Sequence, residues 1–353
     1  MKEIDDILNS GMLSAFRGTP DGQDGGEYIQ ALEAAFRSYF GVRYALTLNS
    51  ATSALHAALI ACDIGEGDEV IVSPYSFSSS GSCALMVGAK PVFADICDDT
   101  FCIDPEQVEA LITPKTRAII PVHLFGHPAD MYSIMDIAEI YSLVVIEDAA
   151  QAIGAKYDRQ YVGTIGDCGV FSFNQSKHIN TGEGGMLVTN NDKIAEVVKA
   201  VRNHAEVSHP EFKIVGYNYR MCEIEAALAL EQFLKLDKMI GARKSMALHL
   251  SDRLSGKVEI PVIKEGIRHA WWAYAIKTKR RDEYLTALLD ADIACDRYVE
   301  PLYNLPIYEK YGYERGMCPV AERMWESEML RIDMGNLTEA DCDTIIRTIY
   351  DII

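Results

Sequence analysis

The sequence predicts an α/β fold: a mainly parallel seven-stranded sheet sandwiched by helices, followed by a small C-terminal α+β domain. Three observations point there. Short Val/Ile-rich runs, apolar on nearly every residue, alternate with helix-period segments through the first half of the chain. No tandem repeat or low-complexity segment interrupts that alternation. The pattern then changes after Asp192 to longer helices, and from about residue 257 to a new mixture of strand and helix.

The elements follow in order. GTPDGQDGG, from Gly18 to Gly26, is glycine-rich and acidic and reads as a mobile loop. An amphipathic helix is expected from Glu27 to Tyr39. Strands are expected at Tyr44–Leu48, Glu69–Val72, Pro91–Ala94, Ala118–Val122, Leu143–Glu147, Val170–Phe173 and Met186–Thr189. Helices fall between them near 52–62, 79–87, 105–112 and 131–141. Strands this continuously apolar need cover on both faces, so functional residues belong at their carboxyl ends. Further helices are expected near 192–203 and 222–239, then a strand at Trp272–Lys277, a helix at Asp282–Ala291 and a closing helix at Thr338–Ile353. The domain boundary is placed near Gly241. That gives a large domain over 1–240 with an N-terminal helical arm, and a small one over 241–353.

Composition sets limits. A chain of 353 residues with 49% apolar and 24% charged side chains can bury a large core in two units. No apolar run reaches membrane-spanning length. The start, Met1-Lys2-Glu3-Ile4-Asp5-Asp6, lacks the blocks of a signal peptide, so a cytoplasmic protein is expected. The net charge of -19 argues against a nucleic-acid partner, because no basic stripe is available to displace counterions. It also makes any anionic substrate depend on local cations and helix N-termini. Nine cysteines at irregular spacing, with no CxxC, read as reduced thiols, and the eight histidines do not join them at zinc-ligand spacing. No metal is expected.

Two segments carry chemistry. Leu143-Val144-Val145-Ile146-Glu147-Asp148-Ala149-Ala150-Gln151 ends a buried strand on a carboxylate. Phe171-Ser172-Phe173-Asn174-Gln175-Ser176-Lys177 continues into Thr181-Gly182-Glu183-Gly184-Gly185, so that one lysine stands between an apolar strand and a tight turn. A lysine amine and an aspartate at two strand ends suit pyridoxal 5'-phosphate: the amine forms a Schiff base and the acid keeps the ring nitrogen protonated. A buried acid needs a partner or a cation, and Asp148 fits that need. Glu147 should point the other way by strand alternation. Gln151, one turn on, reaches toward the ring's phenolic oxygen. Ser50, Ala51 and Thr52 join a strand to a helix and read either as an ordinary N-cap or as a phosphate cradle. Ser172 could add a second hydroxyl. Phe77 is either core or the aromatic against the cofactor ring, and Glu183 either anchors its loop or touches substrate. His123, His127 and His178 read as structural hydrogen-bonding residues.

Together these segments resemble the DegT/DnrJ/EryC1/StrS family of sugar aminotransferases, within the fold-type-I PLP-dependent transferases. The matching positions run from about Gly41 to Asp237, with a weaker match at Cys318-Pro319-Val320-Ala321-Glu322-Arg323. The resemblance implies that Lys177 is the Schiff-base lysine, Asp148 the ring-nitrogen partner, Gln151 the O3′ contact and Phe77 the ring-stacking aromatic. It implies that Ala51, Thr52 and Ser172 are phosphate ligands. It also implies that Asn218, in Gly216-Tyr217-Asn218-Tyr219-Arg220-Met221, reaches the phosphate of a neighbouring subunit, hence a homodimer with shared active sites. The implied activity is transfer of an amino group from glutamate or glutamine to a nucleotide-linked keto-deoxysugar. Lys at 177, where dehydratase relatives carry His, favours transamination. The alternatives are a keto-cyclitol aminotransferase, a PLP-dependent sugar dehydratase and a non-catalytic PLP-binding regulatory protein. Tyr303, often His in relatives, and a first helix that comes early are departures expected to bear on the sugar pocket.

Overall fold

The computed structural model describes residues 2–16, 23–206 and 214–352. In chain order the elements of the larger part are α1 (Lys2–Ser10), α2 (Glu27–Phe40), β1 (Tyr44–Leu48), α3 (Ala51–Ala61), β2 (Glu69–Val72), α4 (Ser78–Met86), β3 (Lys90–Phe93), α5 (Pro105–Ala110), β4 (Thr116–Ile120), α6 (Met131–Tyr141), β5 (Val144–Asp148), β6 (Lys156–Tyr157), β7 (Gln160–Tyr161), β8 (Cys168–Ser172), β9 (Gly185–Thr189), α7 (Asp192–Arg202) and α8 (Glu223–Phe233). There follow α9 (Leu236–Leu254), β10 (Ile267–Arg268), β11 (Ala273–Lys277), α10 (Arg281–Asp290), β12 (Cys295–Asp296), α11 (Pro319–Arg323), β13 (Met329–Asp333) and α12 (Glu339–Ile352).

Seven strands form one sheet in the order β1-β9-β8-β5-β4-β2-β3. The pairings from β3 through β2, β4 and β5 to β8 are parallel, and β9 runs antiparallel to both β8 and β1. This is the mainly parallel sheet the apolar runs predict. Helix starts follow local chemistry: Ser50, Asp104, Asp130 and Asn191 each accept a backbone N–H from the first turn they precede. The N-terminus of α2 is capped from a distance. Glu223, buried at the start of α8, accepts from the N–H groups of Gly26 and Tyr28. A Cβ at residue 26 would stand 2.6 Å from that carboxylate, which is why a glycine sits there. An aromatic cluster joins β8, α2 and α8, with Phe36 stacked on Phe233 at 4.2 Å and edge-on to Phe171 and Phe173.

A second sheet, β11-β13-β12, is antiparallel. It buries Tyr274, Ile276, Leu330 and Ile332 against Ala247, Leu250 and Leu254 of α9 and Ile345, Ile346 and Ile349 of α12.

Several boundaries differ from expectation for identifiable reasons. The strand expected at Ala118–Val122 ends at Ile120, because Pro121 has no N–H for the ladder. The strand expected at Val170–Phe173 starts two residues earlier. Gly169 hides it from an apolar count, yet only glycine fits, since a Cβ there would lie 2.2 Å from the Gly163 carbonyl oxygen. The single helix expected near 222–239 is two helices, broken at Leu234–Lys235, and the second continues unbroken through Gly241. A division there would have the two units share α9. The loop expected from Gly18 to Gly26 lies partly outside the described residues, as does Ile353. Among the described residues no helix is long and apolar enough to cross a membrane.

Candidate active site

A cavity of about 470 Å³ opens at the carboxyl ends of β5 and β8 and at the N-terminus of α3. Strand alternation sorts the two acids at the end of β5. The Glu147 carboxylate turns away from the cavity and is buried among donors: the N–H groups of Gly163, Ile165 and Gly166 at 2.7, 2.6 and 2.7 Å, and His123 Nε2 at 3.0 Å. His123 Nδ1 accepts from Ala129 N–H, so its proton is on Nε2, donating to Glu147. That pair is scaffold. Asp148 faces the cavity and is 4% exposed. Its Oδ1 accepts from Ala150 N–H at 3.1 Å and its Oδ2 from Ser80 Oγ at 2.7 Å, with Ser76 Oγ 2.8 Å beyond Ser80.

Lys177 is clamped from both sides. The Ser176 carbonyl accepts from the Trp272 indole N–H at 2.8 Å, and His178 Nε2 donates to the Ala270 carbonyl at 2.8 Å. The amine lies 4.5 Å from the centroid of the Trp272 ring. Burial brings its pKa down to about 8, with Asp148 pulling upward and Arg331 pushing further down. His178 and His127, lowered by burial to about 3 and about 4, are neutral at physiological pH. In the cofactor-free protein, the rate at which an amine-directed acylating reagent modifies Lys177 should therefore rise through a midpoint near pH 8, below that of the exposed lysines. Peptide mapping across a pH series reads this; a midpoint for Lys177 matching the surface lysines would contradict it.

The far end of the cavity is built from neutral donors. Ser50 Oγ accepts from Ser53 N–H at 3.1 Å, so Ser50 is an N-cap and a cavity residue at once. The N–H groups of Ala51 and Thr52 lead α3, where a helix has no internal acceptors to offer. Ser172, at the end of β8, brings its hydroxyl to the same cavity. Gly185 permits the close approach of β9, since a Cβ there would stand 2.5 Å from the Ser50 carbonyl carbon and 2.6 Å from Ala51 N. Free N–H groups and hydroxyls at a helix N-terminus are a phosphate donor set. With a lysine amine and a buried carboxylate in the same cavity, the residues fit pyridoxal phosphate.

The other expected residues divide. Gln151 lines the cavity, its Oε1 accepting from Phe125 N–H at 2.8 Å and its Nε2 donating to Tyr298 Oη at 2.7 Å. Phe77 is not core: it is 59% exposed, stands at the N-cap of α4 and lines the cavity. Glu183 anchors its loop, accepting from Asn174 Nδ2, and also lines the cavity. Asn218 is not brought to this cavity; it is exposed, and its carbonyl accepts from Asn49 Nδ2. Tyr303 does not line the cavity either. It is buried with its hydroxyl on Glu322.

The C-terminal part contributes lining residues that escaped sequence reasoning: Trp272, Asp296, Tyr298, Val299, Arg331 and Asp333. Tyr298 and Phe125 have φ of 58° and 57°, left-handed values that are costly for bulky side chains and that cluster beside Gln151 here.

The DegT/DnrJ/EryC1/StrS aminotransferase family model matches residues 12–350. Among curated proteins, GDP-perosamine synthase of Caulobacter vibrioides is 36% identical over 338 residues, spanning 93% of this chain and 91% of that one. A UDP-N-acetyl-3-dehydro-alpha-D-glucosamine 3-aminotransferase of Acidithiobacillus ferrooxidans is 38% identical over 306 residues, 85% of this chain and 82% of that one. Among solved structures, S. venezuelae DesV in complex with a ketimine intermediate superposes with a TM-score of 0.92 at 31% identity, covering 99% of this chain and 93% of that one. The chain belongs to the DegT/DnrJ/EryC1/StrS aminotransferase family.

Proposed function

We propose that this family member is a pyridoxal-phosphate-dependent aminotransferase that moves an amino group from glutamate or glutamine to a nucleotide-linked keto-deoxysugar. One observation carries the reading: the Lys177 amine and the Asp148 carboxylate converge on a cavity that also holds the free N-terminus of α3. The names of the relatives support the sugar class, and because one carries GDP and another UDP they leave the nucleotide open.

Bound pyridoxal phosphate supplies an aldehyde carbon that exchanges amines and a ring that takes up the electron pair left when a Cα–H bond breaks. The chain's residues divide the remaining work. Ala51 and Thr52 N–H, with the hydroxyls of Ser50 and Ser172, bind the phosphate and fix the ring's position. Phe77 offers a ring face, and Gln151 orients the phenolic oxygen. Asp148 holds a proton on the ring nitrogen. Lys177 Nζ would anchor the cofactor and, as a free amine, would carry the proton between the donor's Cα and C4′; its burial, which favours the neutral amine, suits it to accept that proton. In this reading the organisation is a large unit over 1–240 and a small one over 241–353, in a cytoplasmic homodimer whose second copy is served by Asn218.

The experiment is to incubate the cofactor-loaded protein with glutamate and a panel of nucleotide-linked keto sugars. Stoichiometric 2-oxoglutarate and amino sugar, read by mass spectrometry, are expected. A deoxygenated sugar without 2-oxoglutarate would make the chain a dehydratase. Absence of amino sugar with every acceptor, from glutamate and from glutamine alike, would overturn the reading altogether.

A further inference from the structure

A second cavity, of about 530 Å³, opens between the loop before α5, the N-terminus of α6, β6 and the segment before β10. It shares no lining residue with the active-site cavity. Thr100, Ile103 and His127 give it a buried floor, and Asp130, Asp158 and Glu265 an exposed acidic rim. His127 is 5% exposed. Its Nδ1 lies 2.6 Å from the Pro128 carbonyl oxygen, so Nδ1 carries the proton and Nε2 is a bare acceptor. Among the described residues, that buried Nε2 has no hydrogen-bond partner. A buried acceptor left without a donor is costly. The floor therefore calls for an O–H or N–H from a ligand.

The rim sets the ligand's charge. Lys264, its one cation, is held by Asp99 at 3.1 Å. Among the described residues, no cation lies at ion-pair distance from Asp130, Asp158 or Glu265. Three such carboxylates at one opening favour a positive ligand and repel a phosphate. The two demands fall at different depths. An ammonium carried down to the neutral floor would lose its water without meeting a charge, whereas at the rim it keeps water and meets carboxylates. Hydroxyls suit the floor, where His127 Nε2 and the Thr100 hydroxyl accept them. Tyr132 and Tyr157 wall the cavity edge to face, their ring centroids 4.8 Å apart. Their hydroxyls already donate to Asp158 and Asp130, so what they offer a ligand is ring surface, suited to the C–H face of a sugar.

We propose that this cavity is a second ligand site, for an amino sugar without a phosphate, its hydroxyls received by His127 and Thr100 and its ammonium by the acidic rim. The site does not depend on the aminotransferase reading, and its test needs no turnover. Glucosamine, glucose, putrescine and glucosamine 6-phosphate are titrated calorimetrically into the full chain, loaded with pyridoxal phosphate and reduced with borohydride so that no free aldehyde captures the amines. Glucosamine should bind at least about fivefold more tightly than glucose, putrescine or the 6-phosphate. Asp158→Asn combined with Glu265→Gln removes two rim charges. It keeps an acceptor for the Tyr132 hydroxyl, and at position 158, where φ is 52°, asparagine tolerates the left-handed backbone. Glucosamine should bind this variant about 3- to 10-fold more weakly, and glucose within about twofold of wild type. His127→Leu should weaken glucosamine and glucose about 5- to 10-fold and leave putrescine unchanged. No glucosamine binding to the wild type, putrescine or the 6-phosphate binding as tightly as glucosamine, or a glucosamine affinity unchanged in the rim variant would each overturn the proposal. The rim substitutions fall on exposed side chains, so that arm stands whether or not His127→Leu folds. A chain that takes up no pyridoxal phosphate would instead sink the aminotransferase reading and leave these titrations intact.

Discussion

Replacing Lys177 with alanine is expected to reduce amino transfer by at least roughly 10³-fold, because one side chain serves as both covalent anchor and proton carrier. Borohydride should also no longer fix pyridoxal phosphate to the chain, which peptide mapping reads directly. The fold should survive. The clamps on either side of residue 177 use the Ser176 carbonyl and the His178 ring, and neither depends on the lysine side chain. Stability should not fall at neutral pH. Burial lowers this amine's pKa to about 8 from the ordinary lysine value of 10.5. A base that is harder to protonate folded than unfolded penalises the fold wherever the unfolded chain is protonated. The penalty is complete below about pH 8 and vanishes above about pH 10.5. Alanine removes it, at the expense of some alkyl packing. Thermal melts of the two cofactor-free proteins at pH 7 should thus place the variant no lower than the wild type. A large drop in melting temperature would assign the lost activity to unfolding, and retained turnover would remove Lys177 from the chemistry.

The parts of this site that were legible in the sequence share a physical cause. Buried parallel strands must be apolar on both faces, so a charged residue at the end of such a run stands out, as Asp148 does after Val144-Val145-Ile146. Lys177 stands out for the same reason, between Phe171-Ser172-Phe173 and a glycine turn. The N-terminus of α3 was visible as a Ser-Ala-Thr junction, although its closeness to β9 required the contact at Gly185. The C-terminal half of the site was not legible because its elements are short or exposed on one side. Strand β13, Met-Leu-Arg-Ile-Asp, does alternate: Leu330 and Ile332 enter the core while Arg331 and Asp333 line the cavity. Five residues of alternation carry too little signal alone, but the pattern was there to be found. Strands β6, β7, β10 and β12 have two residues each, fewer than any periodicity can mark. The break between α8 and α9 was missed because Leu234-Lys235 contains neither Gly nor Pro.

Asp148→Asn should keep the site's shape and lose its electronics. Asparagine has the volume of aspartate, and its oxygen can still accept from Ala150 N–H. Its amide nitrogen can donate to Ser80 Oγ, which then turns its own proton toward Ser76. Neither polar group is stranded, so stability should change little. What asparagine lacks is the negative charge that holds a proton on the ring nitrogen. That charge matters most when the ring takes up an electron pair, so its loss falls on the transition state and leaves binding largely alone. The expected result is a kcat lowered by roughly 10²- to 10³-fold with glutamate KM altered by less than about threefold, and with cofactor still retained through dialysis. A wild-type kcat in the loaded variant would dismiss Asp148 as the ring-nitrogen partner. Loss of cofactor with an unchanged kcat in whatever fraction stays loaded would make it a binding residue instead. The comparison with Lys177→Ala separates the two halves of the mechanism: borohydride should still fix the cofactor in Asp148→Asn, since the amine at 177 is intact, while amino transfer should be slow in both.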